Sequence, residues 1–264
     1  MKNLSLSARM TIAVTAAMAI MLGLLIFLEV RQVTRAANRQ GLVNAEELAN
    51  RYANQIGRDL NEALLTARTV AHTFEGMKAA WVDDRSLYNA ILKQVLVANP
   101  KFAAVWSCWE PDALDGNDAD FVGKSGHDAT GRFIPLWYRT SEDAQLEKLS
   151  DYTVPGQGDY YLGVKASDRE LATEPRQFRA GAFASESVGM AVPIRYNGEV
   201  VGAAGVLIPT AALQQAVGQI RPYQTGFARL TAPSGVCVAH PDQQSIGQNL
   251  LAGAEHEPLR RALA

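Results

Sequence analysis

The chain has 264 residues, of which 48 % are hydrophobic, which is enough to bury one large core or two modest ones. Its net charge is −2 and its basic residues are scattered, which excludes the massed positive surface of a nucleic-acid-binding protein. The four histidines are dispersed, and no CxxC, HExxH, Walker A, GxGxxG or GxSxG pattern occurs. No metal site and no cofactor are therefore expected.

Residues 10–28 form the first predicted element, an uncharged apolar run interrupted only by Thr11 and Thr15. A helix rises about 1.5 Å per residue, so a run of this length just crosses a hydrocarbon core of ~30 Å. Lys2 and Arg9 precede the run without any acidic residue, which by the positive-inside rule keeps residues 1–9 cytoplasmic. We therefore predict a transmembrane helix over residues 10–29, with the lipid bilayer as its partner.

Two alternatives to this anchor are open. A cleaved signal peptide also has a basic start and an apolar middle, but its apolar core is usually only about 7–15 residues long. It also ends in a small-residue cleavage site, and the junction at Glu29 has no Ala-x-Ala pattern. A buried core helix would show a polar face, which this run lacks.

Residues 30–81 are predicted to continue the anchor as one long stalk helix. The segment contains no proline, and apolar residues recur at helical spacing, namely Leu48, Tyr52, Ile56, Leu60, Leu64, Val70 and Phe74. Two helices joined by a loop near Gly41 are the alternative, because glycine costs about 1 kcal/mol in a helix. A stalk of this kind could pair with a second copy of the chain, so a homodimer is expected.

The next predicted module spans residues 82–218 and starts with a short helix. Asp84 is a suitable N-cap for a helix over residues 86–98, and Asn99 with Pro100 ends it.

Residues 102–109 are the first predicted strand, because the apolar period changes there. Strict alternation separates this strand into two faces. Val105, Ser107 and Trp109 fall on one face, and Ala104, Trp106 and Cys108 fall on the other.

Cys108 and Cys237 are expected to be two separate buried thiols, with a disulfide as the alternative in an oxidising compartment.

A polar loop at residues 110–131 precedes a second predicted strand over 132–138. Pro135 indicates that part of this strand lies at a sheet edge or a bulge, because proline cannot donate a ladder hydrogen bond. A further loop contains Asp151 and the glycine-rich turn at residues 155–161.

Asn197-Gly198 predicts a β-hairpin between strands over residues 186–196 and 199–208. A type I′ turn needs positive φ at both central positions, which this dipeptide tolerates well. Helical character returns over residues 209–218.

A second module is predicted over residues 219–264, with a strand, a turn and a strand over residues 225–240. Two strands do not make an independent core. Either this unit packs wholly on the first module or the chain is the N-terminal piece of a longer protein. We favour the longer protein, in which this second module is truncated here.

Four stretches, in this order and spacing, resemble the double Cache (dCache) sensor domain. They are GRFIPLWY at 131–138, PGQGDYY at 155–161, VGAAGV at 201–206, and AHPD with IGQNL at 239–250. The resemblance covers the chain from about Val33 to its end. It is a domain typical of bacterial methyl-accepting chemotaxis receptors, and of some sensor histidine kinases and diguanylate cyclases.

The resemblance implies an α+β fold in which a transmembrane helix and stalk carry two PAS-like antiparallel-sheet modules. Residues 82–218 would be the membrane-distal module, which normally takes the ligand, and residues 219–264 the membrane-proximal one. The expected function is periplasmic small-molecule sensing by an inner-membrane chemoreceptor that signals to a cytoplasmic domain. A histidine kinase or diguanylate cyclase output is the alternative. An enzyme is not expected, because the loop aspartates Asp115, Asp118 and Asp120 have no matched base or nucleophile.

A pocket for a small polar solute needs aromatic walls and a few convergent polar groups. The candidate ligand-binding residues of the distal module are Trp106, Trp109, Trp137, Tyr138, Asp151, Asp159 and Tyr161. Aromatic faces and carboxylates together attract cations, which suits an amine or a betaine-like compound. The alternative is that the tryptophans are core residues and that Asp159 caps the glycine turn.

Trp137 and Tyr138 match the position where the resembled family lines its pocket. Its amino-acid-binding members carry an arginine two residues earlier, where this chain has Pro135. They also carry an aspartate where this chain has Leu207. An amino acid is therefore only one candidate ligand beside an amine or a betaine-like compound.

Overall fold

The computed structural model describes residues 6–141, 143–222, 226–232 and 234–249. The first helix, α1 (Leu6–Ala79), runs without interruption, which excludes the alternative of a loop near Gly41. In the part of the chain described, it is the one helix long and apolar enough to cross a membrane. The hydroxyls of Thr11 and Thr15 donate to the carbonyls four residues earlier, at 3.0 and 2.9 Å. Both polar side chains of the apolar run are therefore satisfied within the helix.

The chain divides into two units at residue 53. The part of α1 before this point forms the first unit, and the end of α1 belongs to the second. The division of the chain into functional domains, with boundaries at residues 9, 29, 81 and 218, stays a prediction.

The last part of α1 has a buried face that packs in the core of the second unit. Small and large residues share this face, namely Ile56, Ala63, Ala67, Val70, Ala71 and Phe74. Helix α2 (Arg85–Ala98) contributes Tyr88, whose ring centroid lies 4.8 Å from that of Phe74. Asp84 caps α2 as predicted, since its carboxylate accepts a hydrogen bond from the N–H of Ser86 at 2.9 Å.

Seven antiparallel strands form the main sheet. Their bounds are β1 (Ala104–Trp109), β2 (Pro135–Arg139), β3 (Ala144–Lys148), β4 (Leu171–Ala172), β5 (Arg176–Ala180), β6 (Phe183–Tyr196) and β7 (Glu199–Pro209). The strand order is β3-β2-β1-β7-β6-β4, and β5 also pairs with β6. The ends of α1 and α2 cover one face of the sheet, and α3 (Asp159–Ser167) covers the other. The α+β fold class is thereby confirmed.

Strand β1 lies in the middle of this sheet, and its two faces are those predicted. Val105 and Trp109 pack in the core shared with α1 and α2, whereas Trp106 and Cys108 pack in the core under α3. The register places Trp106 opposite Gly205 and Trp109 opposite Gly202 of β7. A large ring on one strand is therefore matched by a bare backbone on its neighbour. Cys108 and Cys237 are both buried free thiols, as expected.

Two expectations about the region between β1 and β6 were wrong. Pro135 is not at a sheet edge, because β2 lies between β1 and β3; proline is tolerated there as the first residue of the strand. The predicted loop beyond it contains β3, α3, β4 and β5. Strand β3 is short and polar, and glycines surround the start of α3, so the sequence pattern did not indicate these elements.

The β6–β7 hairpin turns at Asn197-Gly198 as predicted. The φ angles of these two residues are +52° and +85°. Beyond β7, helix α4 (Thr210–Gly218) leads into the region predicted to be a second module.

The described part of this predicted module contains β8 (Leu230–Thr231) and β9 (Cys237–Ala239). The side-chain amide of Gln214 in α4 binds the backbone of His240 through both its groups. Its nitrogen donates to the His240 carbonyl at 2.5 Å, and its oxygen accepts from the His240 N–H at 2.9 Å. The rest of the predicted module, at residues 223–225, 233 and 250–264, lies outside the described residues.

Candidate functional site

A cavity of about 230 Å³ lies on the α3 side of the main sheet. Its floor is apolar and comes from Leu136 of β2 and Leu207 of β7. One wall is the loop at residues 149–157, and the next is the first turn of α3. Strand β5 supplies the remaining wall, so the cavity collects residues that are distant in sequence.

The β5 wall follows the alternation of a strand. Phe178 and Ala180 are buried and Arg176 is half-buried, whereas Gln177 and Arg179 are exposed. The first three side chains therefore share the inward face of β5, and the other two point outward.

Tyr160, at the start of α3, is the aromatic residue that joins these walls. It is buried, and its ring centroid lies 5.4 Å from that of Phe178. Behind it, Trp106 of β1 packs edge-on at 5.1 Å. The Tyr160 hydroxyl donates to the carbonyl of Ser150 at 3.2 Å, which attaches the loop wall to α3. Burial raises the pKa of the Tyr160 phenol, so the group is neutral at physiological pH.

Besides Arg179, which is on the exposed, outward face of β5, two charged side chains line the cavity from different walls. Asp151 comes from the loop, where its backbone has a φ of +54°, and Arg176 comes from β5. Neither belongs to an ion pair within the described residues. The cavity thus offers one anionic and one cationic group to a ligand.

Of the residues predicted from the sequence, Asp151 lines this cavity. Trp106, Tyr138 and Tyr161 lie on the same face of the sheet, in the layer behind the lining. The ring of Tyr138, for example, lies 5.2 Å from that of the cavity residue Phe183.

Asp159 lies at the N-terminus of α3 beside the cavity. Its carboxylate accepts a hydrogen bond from the N–H of Gly156 at 2.8 Å. Asp159 therefore caps the glycine turn, which is the alternative role considered for it from the sequence.

Trp109 and Trp137 lie on the opposite face of the sheet, and the structure does not bring them to the cavity. Trp109 packs edge-on against Tyr88 at 5.7 Å. The indole nitrogen of Trp137 donates to Asn89 of α2 at 3.0 Å.

A buried polar network supports the loop wall from behind. Arg132 donates to the hydroxyl of Tyr161 at 2.6 Å, and its guanidinium carbon lies 5.0 Å from the centre of the Tyr152 ring. The Tyr152 hydroxyl donates to Asp128 at 2.5 Å. Burial alone would raise the pKa of the Asp128 carboxyl, but hydrogen bonds from Tyr152, Thr130 and the backbone N–H of Arg132 outweigh burial and lower it.

Asp128→Asn is expected to make the stability of the fold fall less steeply as the pH is lowered into the acid range. The pKa of Asp128 is lower in the folded chain than its unfolded value of about 3.9. Its contribution is therefore fully present above that pH and is lost as the pH falls through the folded-state pKa. Thermal unfolding of the full chain in detergent micelles, from about pH 6 to about pH 3, measures this.

Below about pH 4 the Tm of the wild type should fall more steeply than that of the variant. Tyr152→Phe removes one of the hydrogen bonds and should give an intermediate slope. Parallel curves for all three proteins would contradict a role for the Asp128 carboxylate.

Arg176, Phe178 and Tyr160 were not among the residues predicted for the site. The alternation of polar and apolar residues over 176–180 is the signal that could have identified β5.

Comparison with known proteins gives matches over most of the chain. The extracellular domain of mmHK1S-Z3, a candidate histidine kinase, is 33 % identical and superposes with a TM-score of 0.71. The match covers 80 % of this chain and 75 % of that one. The corresponding domain of mmHK1S-Z2 is 32 % identical, with a TM-score of 0.74 and coverages of 84 % and 81 %. No protein-family model matches the chain.

Methyl-accepting chemotaxis protein TlpQ of Pseudomonas aeruginosa is 26 % identical over 217 residues. The match covers 75 % of this chain but only 30 % of TlpQ, so this chain spans less than a third of that relative. The ligand-binding domain of the amino-acid chemoreceptor PctC of Pseudomonas aeruginosa, solved in complex with GABA, has the same fold. It is 20 % identical, with a TM-score of 0.54 and coverage of 80 % of each chain.

Proposed function

The chain belongs to the double Cache (dCache) family of extracellular sensor domains, and we propose that it detects a small molecule in the periplasm for chemotaxis. The cavity under β5 is the proposed ligand site. Asp151 and Arg176, which form no ion pair within the described residues, line it together with an apolar floor, as in sites that bind small polar solutes. This juxtaposition carries the proposal.

Helix α1 supports the membrane part of the proposal. Its apolar run fits an anchor in the inner membrane, and the remainder of the helix fits a stalk that pairs in a homodimer. Ligand binding would shift a two-state equilibrium of this assembly, and the anchor would carry the change to a cytoplasmic signalling domain. A ligand shifts such an equilibrium only by its difference in affinity for the two states.

The proposed ligand classes are amines, betaine-like compounds and amino acids. Tyr160 and Phe178 provide the aromatic faces that attract a cationic group. PctC, which shares the fold, was solved with GABA. We further propose that the ligand is bound and released unchanged; recovery of the intact ligand by mass spectrometry after prolonged incubation is the expected result.

Ala180→Phe is expected to abolish ligand-induced stabilisation, because the added ring fills the cavity from the β5 wall. A saturating ligand raises stability by RT ln(1 + [L]/Kd), which is about 2.7 kcal/mol at a hundredfold excess over Kd. The measurement is a thermal-shift screen of amines, betaines, amino acids and organic acids against the full chain in detergent micelles. Trp137→Ala, on the opposite face of the sheet, should keep the wild-type shift.

The ligand-free Tm of each variant shows whether it folds. Should Ala180→Phe fail to fold, Asp151→Asn in the exposed loop tests the same cavity. Loss of the shift in Trp137→Ala, with both cavity variants retaining it, would move the site to the helix side of the sheet.

A sensor histidine kinase is the second candidate, because mmHK1S-Z3 and mmHK1S-Z2, which are each more than 30 % identical, are candidate histidine kinases. A strain that lacks this gene separates the outputs. For a chemoreceptor, the swimming response to the identified ligand should disappear. An intact swimming response with a lost ligand-dependent change in transcription would favour the kinase.

A further inference from the structure

Arg176 has more hydrogen-bond donors than the described protein uses. One Nη2–H donates to the carbonyl of Gly156 at 2.7 Å. The Nε–H is buried and has no partner within the described residues. A guanidinium carries five N–H groups in a rigid fork, so this single bond leaves most of the fork available.

Two aromatic rings hold this guanidinium in place. Its central carbon lies 5.5 Å from the centre of the Phe178 ring and 6.0 Å from that of Tyr160. Both rings line the cavity, so the positive charge is kept at the cavity wall and partly out of water. Arg179 also borders the cavity, but it is exposed on the outward face of β5.

We propose that Arg176 is the anion anchor of the cavity, so that the ligand must carry a carboxylate. This inference rests on the proposed sensing function and narrows its ligand class. The floor residues Leu136 and Leu207 are apolar, and of the cavity's charged side chains only Arg176 is a cation on the inward face of β5. Carboxylate oxygens match the guanidinium fork, and such charge-assisted bonds are among the stronger ones in proteins.

Asp151 fixes the other end of the ligand. It lies on the loop wall, with no ion pair to Arg176, so each charge is available to an opposite charge on the ligand. A zwitterion would place its carboxylate at Arg176 and its ammonium or quaternary ammonium group at Asp151. A cavity of about 230 Å³ has room for a ligand of the size of a small betaine or amino acid. Simple amines have no carboxylate, so this proposal excludes them from the ligand class.

Matched pairs of probes test the anchor on the full chain in detergent micelles. Glycine betaine is compared with choline, and GABA with 4-aminobutan-1-ol, so that in each pair a hydroxymethyl group replaces the carboxylate. The variants are Arg176→Gln and Arg176→Lys, and the control is Arg169→Gln, an exposed arginine that is not among the residues lining the cavity. Calorimetric titration gives the affinities, and ligand-free Tm values show that each variant is folded.

We expect at least one carboxylate probe to bind the wild type and the control Arg169→Gln at least tenfold more tightly than its alcohol partner. Arg176→Gln should lose this preference, and Arg176→Lys should retain part of it, because a lysine keeps the charge but not the fork. Alcohol probes that bind the wild type and Arg176→Gln as tightly as the carboxylates would overturn the anchor and leave the sensing function standing. So would a ligand from the broader screen that lacks an anionic group. If neither these probes nor the broader screen yields a ligand, the sensing function fails together with the anchor.

Discussion

Arg85→Ala is expected to lower the free energy of unfolding by about 3–5 kcal/mol, because it leaves two carboxylates buried without their cation. Arg85 is 3 % exposed and binds both oxygens of Asp115, at 2.6 and 2.7 Å. It also donates to Asp118 at 2.7 Å and to the carbonyl of Gly131 at 2.9 Å. Loss of this cluster would detach the loop at residues 110–131 from the start of α2.

The expected fall in Tm is roughly 6–20 °C, at about 2–4 °C per kcal/mol for a domain of this size. Arg68→Ala is the matched control, since it also breaks an arginine–carboxylate pair. That pair, with Glu170, is solvent-exposed, with side chains 38 % and 32 % accessible, and should matter little. Similar shifts for the two variants would show that burial of the Arg85 cluster does not decide its contribution.

Gly205→Val is expected to cost about 3 kcal/mol or more and to prevent ligand binding, because there is no space for a side chain at this position. A Cβ atom on Gly205 would lie 2.3 Å from the indole ring of Trp106. The ring is 1 % exposed and supports Tyr160 at the cavity, so it has no free space into which to move. Thermal unfolding and the ligand titration are both measured on the same preparation.

Gly57→Ala serves as the control of opposite sign. No atom lies within 4 Å of the Cβ position of Gly57, which is inside α1, so alanine should stabilise the helix by roughly 0.5–1 kcal/mol. Gly205→Ala should fall between Gly205→Val and the wild type. A Gly205→Val protein with wild-type Tm and affinity would mean that Trp106 does not need its present position.

Features set by neighbouring residues were predictable from the sequence. The apolar run of α1, the cap at Asp84 and the turn at Asn197-Gly198 depend on composition, on one side chain and on two φ angles. The two faces of β1 follow from alternation alone. This same alternation already separates Trp106 from Trp109, so one cavity could not hold both, although both were predicted for it.

The cavity could not be derived in this way, because its walls meet only through tertiary packing. Asp151 was identified as a charged loop residue, whereas Arg176 follows a polar stretch and gains its position from the pairing of β5 with β6. Trp137 illustrates the converse. An aromatic residue on β2 was predictable, but its hydrogen bond to Asn89 depends on where α2 crosses the sheet.

The two hydrogen bonds between the Gln214 side chain and the His240 backbone bear on how α4 and β9 are joined. The side-chain amide of Gln214 binds only main-chain atoms of His240, so the imidazole of His240 takes no part in these two hydrogen bonds. A displacement of α4 away from the end of β9 would break both hydrogen bonds. The attachment of α4 to the segment that follows β9 therefore depends on the side chain at position 214 and tolerates substitution at position 240.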